Sequence, residues 1–512
     1  MFYDLMQGFA FVFLPFSLLM LVFGTFFGIV IGAIPGLSGS MGIILLLPLV
    51  HRLPSDVGLV MLAGLFCGSM MGGSISAILL NTPGTPSAAA TALDGYPLAK
   101  KGQAGKAIGM AAISSGMGGL ISVICLVFIA PQLSRVALQF HGADYFSLAV
   151  FGLAMIGATS GKYVLKGLIS GVAGMLIATV GVDSVMGTAR FTFGQVNLMS
   201  GLPLLSVLIG VFAISEIIEV LSKKTEALNL TEQNVKNVLP TWAEIKSTFK
   251  VSGISGLIGV FIGIVPGTGG SISAFLSYNV AQKISKTPEG FGQGSLEGIA
   301  AAESSNNGTT GGALIPMLTL GVPGDVVTAV MLGAMVLIGV RPGPLIFTEA
   351  PDVVYGLFAG MFVIQFVMVA IGLGFARISP YILKIPQKLL MPIIMVLCIV
   401  GAFSLANQIY HAFVALAFGI IGYFMKKYHY PAAPMVLGVI LGPLAEVNLN
   451  RALMVTRGDW SILVTRPISL TFLILSVGFV VMTAHSNMKK AKKEKTQEKS
   501  TEEIEIGKEE IQ

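Results

Sequence analysis

The sequence predicts an all-α polytopic membrane protein with about 11–12 transmembrane helices, additional broken half-helices and two homologous halves. Over 512 residues, 54% are hydrophobic, 11% are charged and the mean hydropathy is +0.85, whereas roughly a quarter of the residues of a soluble domain are charged. A motif that occurs twice indicates the duplication. The apolar runs that predict spans lie near 9–34, 57–80, 107–130, 145–161, 163–182, 202–221, 326–347, 353–375, 389–405, 409–425, 431–445 and 467–484.

The repeated motif is Gly-X-X-X-Gly-X-X-Pro-Gly, found at residues 28–36 and again 231 positions later at 259–267. A second Pro-Gly break follows each copy, at 81–86 and 321–325, with its prolines 240 positions apart. Proline removes a backbone donor and glycine permits dihedrals outside the helical region. Helices interrupted at matching positions of two halves indicate the binding site of a secondary transporter.

Charge predicts the topology and the boundaries of the domains. Lysines concentrate in the loop 222–252 and in the tail after residue 485, so the positive-inside rule places both in the cytoplasm. Basic residues follow the second break in the first half but lie between the breaks in the second half, which predicts inverted repeats. A parallel duplication is the alternative. The predicted parts are a first membrane half at 1–221, a cytoplasmic linker at 222–252, a second membrane half with additional spans at 253–485, and a disordered charged cytoplasmic tail at 486–512.

The breaks are predicted to bind an anionic substrate. A helix N-terminus presents free N–H groups and the positive end of the helix dipole, which favour a carboxylate. No Arg or Lys lies within the four breaks, so backbone donors and hydroxyls would hold the anion. Close helix packing is the alternative explanation for these small residues. The predicted substrate-binding residues are Pro35, Gly36, Ser38, Gly39, Ser40, Asn81, Thr82, Pro83, Gly84, Thr85, Pro266, Gly267, Thr268, Gly269, Gly270, Ser271, Pro323 and Gly324.

A polar run in the second half is predicted to couple transport to a cation. Glu303, Asn306, Asn307 and Thr310 follow the i, i+3, i+4, i+7 spacing of one helix face. A carboxylate inside a membrane indicates a functional site by default. Carboxylate and amide oxygens together suit a sodium ion, whereas a lone glutamate suits a proton. Asp325 is a further candidate, with helix capping as its alternative. For Glu303 the alternative is a place at the water interface.

The composition argues against other classes of protein. The three cysteines and five histidines lack the spacing of a metal site, so no metal other than a transported sodium and no other cofactor is expected. The basic residues sit in connectors and the tail, which indicates topology and not nucleic-acid binding. The sequence Gly-Leu-Ser-Gly at 36–39 resembles a protease nucleophile, but no histidine is well placed as its base. An enzyme is therefore not expected and an intramembrane protease is a remote alternative; a channel would not need the polar run around Glu303.

The break motifs resemble those of the large membrane subunit of bacterial tripartite tricarboxylate transporters. The resemblance extends to about residue 485, and its most specific stretches are 32–39, 81–89, 93–97, 263–270, 302–307 and 320–324. It implies a multi-pass subunit of the cell membrane that imports carboxylates such as citrate by symport with sodium or protons. It also implies two partners, a small four-helix membrane subunit and an extracytoplasmic substrate-binding protein. A stand-alone carboxylate or sodium symporter is the alternative.

Overall fold

The computed structural model describes residues 1–158, 163–183, 185–222, 235, 237–483 and 485, and most of these residues are helical. The all-α fold predicted from the sequence is confirmed. The helices are α1 Phe2–Val12, α2 Pro15–Ala33, α3 Gly39–Val50, α4 Ser55–Leu80, α5 Ala88–Leu98, α6 Ala104–Ala137, α7 Gly142–Ala158, α8 Val164–Ala178, α9 Val196–Met199, α10 Leu204–Leu208, α11 Ser215–Ser222, α12 Trp242–Ile264, α13 Gly269–Ile284, α14 Leu296–Leu320, α15 Val326–Leu337, α16 Ile346–Glu349, α17 Pro351–Phe375, α18 Ser379–Ile382, α19 Gln387–Ser404, α20 Ile409–Lys427, α21 Ala432–Val455, α22 Ile462–Thr465 and α23 Pro467–Thr483. Strands β1 Gly181–Val182 and β2 Ala189–Arg190 form an antiparallel pair.

Nine helical segments within the described ranges are long and apolar enough to cross a membrane. Five shorter apolar helices accompany them, namely α3, α7, α8, α15 and α23. Two of these, α3 and α15, directly follow Pro-Gly breaks. The chain is therefore a multi-pass membrane protein with short helices at the predicted breaks.

The chain forms two compact units that cut across the predicted halves. The first unit comprises Met1–Gln139 and Phe193–Phe424, and the second comprises Phe140–Thr192 and the described residues from Met425 onward. All four breaks belong to the first unit. In the second unit, α21 packs against α7 and α8. Most of the basic residues of the predicted linker and tail, including Lys223, Lys224, Lys236 and the lysines after Asn487, lie outside the described residues.

Equivalent glycines make equivalent contacts in the two halves. A Cβ at Gly32 on α2 would lie 2.2 Å from the carbonyl oxygen of Ser69 on α4. A Cβ at Gly263 on α12 would lie 2.8 Å from the carbonyl oxygen of Thr309 on α14. Gly263 is the equivalent of Gly32, 231 positions later, and Thr309 is the equivalent of Ser69, 240 positions later. Only glycine lets these backbones approach so closely. Three further glycine contacts with a backbone carbonyl have an equivalent in the other half. These are Gly28–Leu65 with Gly259–Ser305, Gly68–Thr25 with Gly308–Gly256, and Gly72–Ile29 with Gly312–Val260.

The two halves are inverted relative to each other. Helices α4 and α14 occupy equivalent places in the duplication and pack against each other. Cys67 Sγ lies 3.8 Å from Thr310 Oγ1, whereas further along α4 the carbonyl oxygen of Met70 accepts a hydrogen bond from Asn306 Nδ2 at 3.2 Å. Residue numbers thus rise along one helix as they fall along the other. Equivalent helices running antiparallel confirm the inverted repeat.

Within each half, the helices on either side of the first break form a hairpin. Gly24 and Gly32 on α2 lie against Met61 and Ser69 on α4, so α2 and α4 run in the same direction. Helix α3, which connects them, therefore returns to the end from which α2 began. The equivalent contacts between α12 and α14 give α13 the same course in the second half. Because the halves are inverted, the two hairpins enter the first unit from opposite ends.

Lysines from both halves gather at one end of the first unit. Lys106 at the start of α6 pairs with Glu244 at the start of α12, with 2.8 Å between Nζ and Oε1. Lys101 Nζ donates to the carbonyl oxygen of Gln293, which precedes α14, at 2.7 Å. Lys283 lies in the last turn of α13. We call this the lysine end, and the α12–α13 hairpin opens toward it.

The first prediction concerns the two hairpins. Single cysteines replace His51 and Lys283, both exposed, in a background without native cysteines. Because the hairpins open at opposite ends, an impermeant thiol reagent applied outside intact cells should label position 51 and not position 283. Both positions should react after permeabilisation, which controls for reactivity. Equal labelling of both positions in intact cells would contradict the inverted arrangement.

The second prediction compares two glycines of α12. A Cβ at Gly259 would lie 2.2 Å from the carbonyl oxygen of Ser305, whereas at Gly253 it would meet no atom within 4 Å. Gly259→Ala should destabilise the protein by about 1–3 kcal/mol, since the helices must move apart. Gly253→Ala should stabilise it by up to about 1 kcal/mol through helix propensity. Thermal unfolding in detergent measures the difference, and equal midpoints for the two variants would refute the packing argument.

Candidate functional site

The first break of each half has the same backbone conformation. Helix α2 ends at Ala33 and α12 ends at Ile264. Gly36 and Gly267 follow with φ values of +85° and +79°, a region that favours glycine because it carries no Cβ. The predicted interruption of these helices is therefore present, and it depends on a glycine directly after each proline.

The second breaks also begin with a left-handed residue. Asn81 ends α4 with φ of 54°, and Gly321 ends α14 with φ of 69°. Such residues commonly terminate helices. Asn81, a predicted substrate-binding residue, thus acts in the backbone as the C-terminal cap of α4, and its side chain is exposed.

The two breaks of each half touch each other. In the first half, a Cβ at Gly84 would lie 2.0 Å from the carbonyl oxygen of Gly32. In the second half, the N–H of Gly267 donates to the carbonyl oxygen of Gly324 at 2.7 Å. A Cβ at Gly324 would also lie 2.8 Å from the carbonyl oxygen of Gly263. These backbone contacts bring the Pro-Gly turns together in pairs.

The breaks also meet across the two halves. A Cβ at Gly39 on α3 would lie 3.6 Å from Cγ2 of Val327 on α15, and one at Gly270 on α13 would lie 3.2 Å from Cβ of Ser87 beside α5. Gly39 and Gly270 are equivalent in the duplication, as are Ser87 and Val327. With the contacts inside each half, the four breaks form a closed ring, which we call the break ring.

Four helix N-termini meet at the break ring in two pairs, but only one pair is capped by side chains. In the α3–α15 pair, Ser38 Oγ accepts from the N–H of Met41 at 3.3 Å, and Asp325 Oδ1 accepts from the N–H of Thr328 at 2.7 Å. Neither α5 nor α13 has a side-chain cap. In α5 the first N–H groups donate to the backbone carbonyl oxygens of residues 85–87, so the backbone donors of the α5–α13 junction are those of the first turn of α13. No carboxylate caps either helix. Asp325, a predicted coupling residue, lies instead at the capped pair.

Polar side chains surround the α5–α13 junction. Oδ1 of Asn306 has no hydrogen-bond partner among the described residues, and it would lie 2.7 Å from a Cβ at Gly270. The hydroxyls of Thr85 and Ser87 lie 3.1 Å apart. Ser271 occupies the first turn of α13. Backbone N–H groups and hydroxyls thus lie around a common place, a set that suits a carboxylate. The Asn306 amide oxygen can only accept a hydrogen bond there, because Nδ2 of Asn306 donates to the carbonyl oxygen of Met70.

Other predicted residues are engaged in local contacts. Thr268 Oγ1 donates to the carbonyl oxygens of Ile262 and Val265, at 2.6 and 2.8 Å, and so completes the end of α12. Ser40 Oγ lies 2.9 Å from Ser38 Oγ at the α3–α15 pair. Ser40 and Ser271, two equivalent residues that were both predicted to bind the substrate, therefore lie at different junctions of the ring. The prolines at positions 35, 83, 266 and 323 shape the four turns.

Glu303 lies one helical turn away from the α5–α13 junction. Its side chain is completely buried, and its two oxygens accept hydrogen bonds from Thr91 Oγ1 and from Ser115 Oγ, the latter at 2.9 Å. Thr91 stands one turn after Ser87 on α5. No ion pair to Glu303 is recorded in the described part of the chain. The sequence analysis left open that Glu303 lies at the water interface. Its complete burial contradicts that alternative.

Asn307 and Thr310 belong to a buried polar cluster that also contains Gln365 on α17. Both polar atoms of the Asn307 amide lack partners in the described chain, as does Gln365 Oε1. Gln365 Nε2 donates to the carbonyl oxygen of Met361 at 2.9 Å and lies 3.7 Å from Cys67 Sγ. The sequence analysis did not identify Gln365. A single glutamine inside the apolar run 353–375 was the signal that could have identified it.

Any cation here would be held by few charges. In the ranges that the structure describes, no group of three or more His, Cys, Asp or Glu residues could hold a metal ion. Near Glu303 the available ligands are hydroxyl and amide oxygens. That set suits a weakly bound sodium ion, and the carboxylate alone suits a proton.

Comparison with known proteins identifies the family. The model of the tripartite tricarboxylate transporter TctA family matches residues 18–437, which include all four breaks and Glu303. The "Uncharacterized 52.8 kDa protein in TAR-I ttuC' 3'region" of Agrobacterium vitis is 36% identical over 482 residues, covering 94% of this chain and 95% of that protein. The "Uncharacterized protein in TAR-II ttuC' 3'region" of the same organism is 36% identical over 224 residues, 44% of this chain and 93% of that protein. No solved structure matches the chain. Together, the inverted broken-helix halves and the match along most of the chain show that this protein belongs to the tripartite tricarboxylate transporter TctA family.

Proposed function

We propose that this chain is the permease subunit of a cation-coupled importer of tricarboxylates or related carboxylates in the cytoplasmic membrane. The observation that carries the proposal is the break ring, where helix N-termini from both halves meet within buried protein. Irregular backbone inside a membrane is tolerated only where protein or a cavity satisfies its polar groups. Its place between inverted repeats is the usual position of a transported substrate.

The α5–α13 junction is the proposed place of one substrate carboxylate. Both helices have at least 11 residues and direct uncapped first turns toward it. The dipoles of both helices and the N–H groups of the first turn of α13 favour a negative charge without a basic side chain. The hydroxyls of Ser87 and Ser271 provide further donors. The α3–α15 pair is less suited to an anion, because Asp325 already places a carboxylate there.

Glu303 is the proposed coupling residue. An unpaired buried carboxylate is costly, and a second negative charge at the junction one turn away would add repulsion. Taking up a proton or a sodium ion at Glu303 removes that repulsion, so cation and carboxylate favour each other's binding. Asn307 lies one turn after Glu303 on α14, and Gln365 belongs to the buried cluster with Cys67 and Thr310. Alternating access would follow from movement of the hairpins relative to the rest of the first unit.

Two partners complete the proposal. An extracytoplasmic binding protein would deliver the carboxylate, and a small four-helix membrane subunit would accompany this chain, as the family's tripartite composition suggests. A stand-alone symporter, the alternative, would need neither partner. Uptake by reconstituted vesicles with and without the partners distinguishes the tripartite system from the symporter. Uptake that requires both partners supports the tripartite system, whereas full uptake by this chain alone favours the symporter.

The third prediction tests the anion site. Ser271→Asp places a carboxylate in the first turn of α13, where it stabilises the helix N-terminus but occupies the position proposed for the substrate. We expect uptake of citrate or the native carboxylate to fall at least about tenfold, the effect of roughly 1.4 kcal/mol, while thermal stability is kept or raised. Ser271→Asn, of similar size and without charge, is the matched control. If both variants transport equally, the α5–α13 junction does not bind the anion.

The fourth prediction tests coupling. Glu303→Gln keeps the shape of the side chain but cannot take up a cation, so uptake should lose its dependence on a sodium or proton gradient while carboxylate binding persists. Glu297→Gln is the control, because Glu297 lies in the first turn of the same helix and accepts a hydrogen bond from Ser285. Uptake by proteoliposomes under imposed gradients measures the effect. Unchanged rate and cation dependence in Glu303→Gln would assign the coupling to another residue.

A further inference from the structure

Asp94 is a fully buried carboxylate that joins the two halves at the lysine end. It belongs to α5 of the first half and has no exposed surface. Its Oδ2 accepts a hydrogen bond from the hydroxyl of Tyr278, and its Oδ1 accepts from the N–H groups of Gly294 and Ser295, each at 2.8 Å. All three donors lie in the second half. Hydrogen bonds to a charged group are among the stronger ones in proteins.

These donors lie on the segments that border the proposed site. Tyr278 belongs to α13, whose first turn lies at the break ring, and Ser295 is the N-cap of α14, which carries Glu303. Gln293 beside them accepts from Lys101 at the lysine end. Asp94 therefore ties α5 to both helices that form the site with it, on the side of the site that faces the lysine end.

The contact is closely packed. A Cβ at Gly298, in the first turn of α14, would lie 2.0 Å from Asp94 Oδ2 and 2.9 Å from the ring of Tyr278. Glycine is therefore required at this position, since any side chain would push α14 away from the carboxylate. The ring of Tyr278 also packs edge-on against Phe291, with 5.3 Å between the ring centroids. Polar and apolar contacts together close this end.

The opposite end of the duplication has no such carboxylate. The residue 240 positions after Asp94 is Ala334, and the counterparts of Tyr278 and Gly298 are Leu47 and Gly58. Helices α3 and α15, which carry Leu47 and Ala334, pack against each other through apolar side chains such as Val327. The two ends of an otherwise symmetric arrangement are thus held by different physical interactions.

We propose that Asp94 is a positioning residue that holds α13 and α14 against α5, so that its three hydrogen bonds must break before the lysine end opens to the substrate. The inference rests on the proposed alternating-access function. Since the opposite end lacks the carboxylate, the Asp94 contacts bias the resting protein toward closure at the lysine end. Weakening them shifts the population toward the state open at that end.

The test measures access to the break ring. Ser87→Cys, a nearly isosteric change at the α5–α13 junction, is the reporter in a background without native cysteines. An impermeant thiol reagent is applied separately to each side of membrane vesicles. Asp94→Asn and Tyr278→Phe are compared with Tyr96→Phe, the same chemical change on α5 at a ring that contacts Lys100. Membrane insertion and thermal stability are recorded for every variant.

We expect labelling from the lysine end to become about tenfold faster in Asp94→Asn, as for loss of one hydrogen bond to a charged group, and several-fold faster in Tyr278→Phe. Labelling from the opposite side should slow, and Tyr96→Phe should match the parent. Tyr278→Phe keeps both backbone bonds, so it tests the idea even if Asp94→Asn inserts poorly. Unchanged rates, or equal increases from both sides, would overturn the proposal. Failure of citrate to protect the reporter thiol in the parent would instead count against the proposed function.

Discussion

Contact between helix backbones is the interaction on which the rest of the structure depends. Inside a membrane, apolar side chains gain little by leaving lipid for protein, so close packing of small residues holds helices together. Gly28 and Gly32 place α2 directly on α4, and Gly259 and Gly263 place α12 on α14. Because both helices of each pair are interrupted near these contacts, the packing also brings the breaks together. The break ring is therefore a consequence of glycine packing.

The symmetry of this frame is broken where chemistry is proposed. Equivalent positions carry Glu303 in one half and Ala63 in the other, and Asp94 faces the second half while Ala334 takes its place at the opposite end. One pair of helix N-termini is capped by Ser38 and Asp325, whereas the α5–α13 pair is left without side-chain caps. In the proposed function, the carboxylate and the cation would be bound on one side of this frame, and movement of the inverted halves would give alternating access.

Much of the site could be predicted because its features are local. Proline and glycine set the backbone at their own positions, so the four interruptions and the left-handed Gly36 and Gly267 follow from the sequence. The spacing of Glu303 and Asn307 places them on one helix face. The opposite lysine patterns of the two halves indicated the inversion, which the antiparallel α4 and α14 confirm.

By itself, then, the sequence determined that the chain crosses a membrane, that it is duplicated and where its helices break, since composition and the backbone preferences of Pro and Gly act locally. The sequence favoured inverted halves but left parallel ones open, and the contacts between α4 and α14 decided for inversion. Only the tertiary structure decided that α5 meets α13 and α3 meets α15, and that Ser40 and Ser271 lie at different junctions. It also showed that Asp325 caps a helix, and that Gln365 and Asp94 join buried networks. These facts depend on contacts between residues far apart in the chain, for which local preferences carry no information.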